Sequence, residues 1–266
     1  MSAFASKFAE PFTPRGVAAF ARIRSVWLFL AQSFIALLAA ISLAYFLNDN
    51  CFSVIHAAIL NLPDTGRIVL GHLEWHDQPK MLAEGRLLAI DVDPDHGNTL
   101  HSTADIQVEF GHDSIRAYSL LPGYAELFYP EWPAPFNRKE LEPQWNAWAT
   151  DILFLTGAAA FFALLLCWVV LATIYFLPAW VAGFLTNRKL DLWASWKLSA
   201  AAVLPGALLM IVAVWLYDFG QLRLVSFSFI FAAHFVLGWI YLVVSLFFVP
   251  GVSSATHKGN PFEPSK

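Results

Sequence analysis

Apolar positions in this chain gather into long unbroken runs, and four of these are long enough to cross a bilayer. The longest lies between Asp151 and Arg188, where 36 residues pass without an Asp, Glu, Lys, Arg or His. A helix needs only ~20 apolar residues to span the hydrocarbon layer. Runs at 27–47, 198–217 and 224–249 also qualify. Inside lipid the backbone must satisfy its hydrogen bonds internally, and at these lengths that means helices. Thirty-six helical residues would extend ~54 Å, so Pro178 is expected to kink or end the second span and leave 179–185 at the membrane surface. Thr13 as N-cap and Pro14 in the first turn open a helix that is expected to run through Arg15, Arg22 and Arg24 into the first span.

Between the first two spans the pattern changes to short segments rich in β-formers. RIVLGHLEW at 67–75, RLLAIDVD at 86–93, DIQVEF at 105–110 and SIRAYSL at 114–120 each read as one strand. Pro94-Asp95-His96-Gly97 and Gly111-His112-Asp113 supply turn chemistry between them. The proline-rich stretch 131–143 reads as a connector. The predicted architecture is an α-helical integral membrane protein of four spans with a small β-rich extracytoplasmic domain inserted after the first. Its parts are a cytoplasmic segment (1–23), a first span (24–47), the β-rich domain (48–149), a three-span bundle (150–250, with spans near 152–178, 198–217 and 224–249) and a cytoplasmic tail (251–266).

Composition strengthens the membrane reading, since 58% of residues are apolar and only 14% charged, against about 25% charged in a soluble domain. Charge sets the orientation. Lys7, Arg15, Arg22, Arg24, Arg188, Lys189, Lys197, Lys258 and Lys266 flank the spans on one side, whereas the short loop 218–223 holds only Arg223. Basic flanks stay cytoplasmic, so both termini are expected inside the cell (inner) membrane. The long 48–149 segment is left out of that comparison because long domains translocate largely regardless of charge. It holds 15 acids against 6 Lys/Arg, which with the lack of a basic patch argues against nucleic acid as a partner. The first apolar run ends in bulky Tyr45-Phe46-Leu47 rather than a small-x-small site, so it reads as an uncleaved anchor. Cys51 and Cys167 lie at the end of one span and inside another, and a disulfide between them is not expected.

LPDTGRIVLG at 62–71, LLAIDVD at 87–93, ADIQVEF at 104–110 and LFYPE at 127–131, in this order within the chain, prompt a comparison. The chain resembles a family of bacterial multi-span membrane proteins with an N-terminal helix, an extracytoplasmic β-domain and a C-terminal helical bundle, distantly similar to the Yip-type membrane fold. The likeness rests on the order of elements, and some relatives have a further span. It implies an architecture and no reaction.

Candidate chemistry is sparse. On a strand, His72, Glu74 and His76 would share one face, as metal ligands must. Alternation with Val69, Leu73 and Trp75 explains the same residues as an ordinary solvated face, and no metal or cofactor is expected. Asp91-x-Asp93-x-Asp95 has calcium-like spacing, but an EF-hand loop needs Gly at its sixth position and Glu at its twelfth. Here those are His96 and Ser102, and a hairpin turn accounts for the acids.

His234, inside the fourth span, is an ionisable residue where lipid would surround it. A structural role is favoured, with the ring facing the bundle interior near Ala233 and Gly238 and bonded to Gln32 or Ser33. Pro205-Gly206 reads as a packing kink. No catalytic residue is identified; no phosphate loop, nucleophile elbow or zinc-protease motif occurs. Three function classes follow. The favoured one is a non-catalytic membrane protein, embedded in the lipid bilayer, whose outer domain binds an envelope partner or ligand in assembly, sensing or trafficking. A transporter or transporter subunit would need polar residues converging between spans. A membrane enzyme acting on lipid or envelope substrate would need a cluster near the bilayer surface, where Asp151, Asp218 and Arg223 are best placed.

Overall fold

The computed structural model describes residues 13–95, 97, 100–119 and 123–251. Among them, four helices are long and apolar enough to cross a membrane: Ser25–Leu60, Arg138–Leu185, Leu192–Asp218 and Leu224–Leu246. The chain divides into two compact units, one formed by 1–40 with 159–266 and the other by 41–158.

The first unit is a helical bundle. Helix α1 (Pro14–Phe20) starts where Thr13 accepts a hydrogen bond from the Gly16 N–H at 3.1 Å. It does not continue into the next helix. Residues 21–24 break the helix, and α2 (Ser25–Leu47) begins after them. The break has a packing reason: it lets Val17, Ala18 and Phe20 turn into the core, with α1 lying against α5 (Leu192–Ala202) and α7 (Leu224–Leu246).

Helix α4 (Arg138–Leu185) runs through Pro178 to Leu185, a single 48-residue helix. Of the two outcomes expected at Pro178, a kink or an end, the end is therefore excluded, in keeping with the tolerance of proline in long apolar helices. What ends α4 is a Schellman motif. Asn187 takes a left-handed conformation (φ 53°), its N–H bonds the Phe184 carbonyl at 3.1 Å and the Arg188 N–H bonds the Gly183 carbonyl at 2.8 Å.

Helix α5 is capped by Asp191, which accepts from the Ala194 N–H at 2.6 Å. It breaks at Val203, just ahead of Pro205, and α6 (Leu204–Asp218) follows. Leu198, Ala200, Ala201, Ala202 and Leu204 are fully buried, so this segment is the axis of the unit. Small residues allow helices to approach closely there. Two of the buried polar side chains find backbone partners: Gln32 Nε2 donates to the Ala200 carbonyl at 3.2 Å and Lys197 Nζ to the Ile23 carbonyl at 2.8 Å. Arg188 Nη1 donates to the Val249 carbonyl at 2.9 Å, and Arg15 lies over the Phe248 ring at 5.2 Å. Three segments far apart in sequence, each carrying basic residues or touching them, thus meet at one end of the bundle.

In the second unit the helix does not stop at Leu47. It passes through a π-type turn (Asn48–Phe52) into α3 (Ser53–Leu60). The segment 67–75 is a hairpin rather than one strand: β1 (Arg67–Val69) pairs antiparallel with β2 (His72–Glu74). Leu70 (φ 50°) and Gly71 (φ 80°) form its two-residue turn. Two central residues at positive φ match the twist of the flanking strands. A short β8 (Ala134–Pro135) adds to β1.

A second sheet has the order β3 (Lys80–Glu84), β4 (Leu88–Val92), β5 (Ile106–Phe110), β6 (Ser114–Ser119) and β7 (Tyr124–Phe128). Every pairing is antiparallel except β4 with β5. The segment 93–105 is consequently a crossover and not the expected hairpin turn, because a parallel partner is reached only by carrying the chain back to the other end of the sheet. Val54, Ala58 and Leu62 pack with Ile68, Leu73, Leu82, Ile90, Val92 and Phe136 to form the core between α3 and the strands.

Candidate functional site

The tight β1–β2 hairpin presents His72 at the start of β2, and the β5–β6 turn presents His112 and Asp113 beside it. The backbone locks these two segments together. The Leu73 N–H donates to the His112 carbonyl at 2.7 Å, the His112 N–H to the Pro94 carbonyl at 3.0 Å, and the Gly111 N–H to the Ser114 carbonyl at 2.9 Å. The Tyr129 hydroxyl, buried in the domain core, donates to the Gly111 carbonyl at 2.8 Å. Burial, with a smaller contribution from the Asp113 charge, pushes that phenol well above its ordinary pKa.

On this frame both imidazoles turn Nδ1 toward the same oxygen. His72 Nδ1 is 2.7 Å from Asp113 Oδ1, His112 Nδ1 bonds the same atom, and the ring centroids are 5.1 Å apart. The bonds from His72 and His112 hold the Asp113 carboxyl below its ordinary pKa. All three side chains are exposed. The grouping differs from the one that alternation along a strand suggests. Glu74 is engaged by Arg67, Nε to Oε2 at 2.5 Å, and His76 lies exposed beyond the end of β2. Only His72 of the expected trio has its partners here. His112 and Asp113 sit in a segment whose sequence reads simply as a turn.

A second cluster lies within the five-stranded sheet. Asp91 and Glu109 are register partners across β4 and β5, and both are buried, as is Asp93. Gln107 Nε2 bridges Asp91 Oδ1 and the Leu100 carbonyl, each at 3.0 Å, which ties the crossover to the sheet. Asp91 Oδ2 is buried without a hydrogen-bond partner among the described residues. Burial pushes the Asp91 pKa up to about 6, the Gln107 hydrogen bond opposes this, and the charges of Glu109 and Asp93 add to it. Asp95 lies exposed on the crossover, so the three acids of calcium-like spacing do not share one environment.

A cleft of about 300 Å³ opens between residues 48–56 and 145–153, lined by Asn48, Ser53, His56, Asn146 and Thr150, with the Phe52 and Trp145 rings 5.1 Å apart. It offers hydrogen-bonding groups and one imidazole but no fixed charge.

Within the bundle, His234 is half-buried, and its Nδ1 bonds the Phe231 carbonyl of its own helix rather than Gln32 or Ser33. Gln32 is already committed to Ala200. Of the small neighbours expected beside His234, Gly238 is buried and Ala233 exposed. Gly206 does what a kink residue in a packed bundle does: it sits against the His234 backbone, where a side chain would not fit.

The last feature is an edge. Among the described residues strand β7 terminates its sheet and pairs only with β6, and every residue in it is exposed. Tyr124, Leu127 and Phe128 (77% exposed) project from it, and Trp132 follows. Neither strand propensity nor charge marks YAELF as unusual, and its open position depends on the sheet order alone. No family model, no curated protein and no solved structure matches the chain.

Proposed function

We propose that the chain is a non-catalytic integral membrane protein of the cell membrane whose sheet domain lies outside the cytoplasm and binds an envelope protein. Four long apolar helices support membrane residence. So do the large apolar side chains they leave uncovered, among them Phe154, Phe162, Leu166 and Phe229, because lipid is the solvent such a surface needs. Orientation is supported by the clustering of Arg15, Arg188 and Lys197 at one end of the bundle. Basic flanks remain in the cytoplasm, and they share one side when each successive pair of long helices crosses and returns.

The observation that carries partner binding is the open β7 edge. An exposed edge strand offers unpaired N–H and C=O groups to another strand, and apolar side chains on both of its faces supply pockets or anchors for alternate residues of that strand. A photo-crosslinking amino acid at Leu127, in the full chain in native membranes, tests this. The proposal expects one discrete protein adduct, which Phe128→Glu removes while the chain still inserts and melts as before. No adduct at Leu127, or one indifferent to Phe128→Glu, would overturn it.

A further inference from the structure

We infer that His72, His112 and Asp113 form a binding site for a divalent transition ion of the zinc class. Two imidazole nitrogens and a carboxylate oxygen are the donor set that borderline ions such as Zn²⁺ prefer, whereas Ca²⁺ and Mg²⁺ take oxygen ligands. The donor atoms all lie within 4.8 Å of one another. Around a tetrahedral Zn²⁺, with bonds of roughly 2.0–2.1 Å, donors stand ~3.3 Å apart. The present Nδ1 to Oδ1 distance of 2.7 Å for His72 is shorter than that. An ion seated between them therefore requires the Asp113 carboxylate to withdraw by more than about half an ångström from both imidazoles, which its exposed side chain permits.

The site is held from below. His72 and His112 come from segments 40 residues apart, yet the bonds Leu73 N–H to His112 carbonyl and His112 N–H to Pro94 carbonyl fix their separation. The Tyr129 hydroxyl pins the carbonyl of Gly111, next to both turn ligands. Such supporting bonds orient ligands and raise affinity. Protons also balance. An exposed aspartate is ionised at neutral pH without any help from its neighbours. Each neutral imidazole needs only to carry its proton on Nε2 instead of Nδ1, leaving Nδ1 to bind the ion. Three protein ligands on an exposed surface leave the fourth position to water. The alternative, a carboxylate accepting two ring N–H bonds, is weakened by exposure: a solvated carboxylate gains little from a second imidazole.

The test uses the full untagged chain in detergent, stripped with a chelator and titrated with Zn²⁺ against a chromophoric competitor. One site per chain is expected. His72→Ala, His112→Ala and Asp113→Asn should each weaken it at least 10-fold, as loss of one of three ligands does, while His76→Ala and Glu74→Gln leave it unchanged. Zn²⁺ should raise the melting temperature of the wild type and of the two control variants, and not of the ligand variants. Should an alanine variant fail to fold, His112→Gln, which keeps a hydrogen-bonding side chain, takes its place. Equal affinity in wild type and ligand variants, or no stoichiometric binding by wild type, would overturn the proposal. The outcome is independent of the β7 edge, which Phe128→Glu alters without touching this cluster.

Discussion

A Cβ atom at Gly206 would come within 2.7 Å of the His234 carbonyl oxygen, so α6 and α7 meet backbone to backbone at this point. The obstacle is main chain and cannot rotate away. Gly206→Ala should therefore force the two helices apart, at a cost on the order of 1–3 kcal/mol, the usual penalty for overpacking. His234→Leu should cost less, under about 1 kcal/mol, because among the described residues the imidazole bonds the Phe231 carbonyl of its own helix and no other helix, and hydrogen bonds within membranes average ~0.6 kcal/mol. Unfolding of both variants in mixed micelles checks the order. A larger loss for His234→Leu than for Gly206→Ala would contradict this packing.

Leu70 should be a strained residue. It sits at φ 50° in the β1–β2 turn, a region that costs a non-glycine residue roughly 1–2 kcal/mol. Leu70→Asn would create Asn-Gly, the favoured pair for this turn. A stability gain of about 0.5–1 kcal/mol is expected, read as a higher melting temperature; a drop would show that Leu70 contributes a contact worth more than the strain.

Asp91 should make the sheet domain prefer mild acid. Its carboxyl is raised from 3.8 to about 6. For an acid raised on folding, the contribution to stability is fully present below 3.8 and is lost as pH rises through about 6. At ~1.4 kcal/mol per pH unit this amounts to at most about 3 kcal/mol. Asp91→Asn, which keeps an acceptor for Gln107, should stabilise the protein at pH 7.5 and scarcely at pH 4. Melting curves at the two pH values decide it, and an Asn variant no more stable than wild type at pH 7.5 would contradict the reading.

The helical part of the fold was the more legible because its rule is local: length and apolarity suffice to find each of the four long helices. Where helices stop is less local. Pro178 lies inside α4, and the termination signal is Asn187, whose left-handed geometry a sequence does not advertise. The hairpin at 67–75 was hidden because Leu-Gly is not a usual turn pair and RIVLGHLEW reads as one apolar strand. The segment after Asp93 carries proper turn residues, yet turn chemistry does not say whether the next strand returns beside β4 or crosses over. The cluster at His72 was missed for a related reason. Its partners lie 40 and 41 residues away, and only sheet register brings them together.

The most direct test of the account is which side of the membrane each region occupies. With Cys51 and Cys167 replaced by serine, single cysteines at Asp77 in the sheet domain, Gln221 in the α6–α7 turn and Lys189 in the α4–α5 turn can be probed in spheroplasts with an impermeant maleimide. The account predicts labelling at positions 77 and 221, and labelling at 189 only after the membrane is permeabilised. Labelling at 189 in intact spheroplasts, with 77 protected, would contradict it.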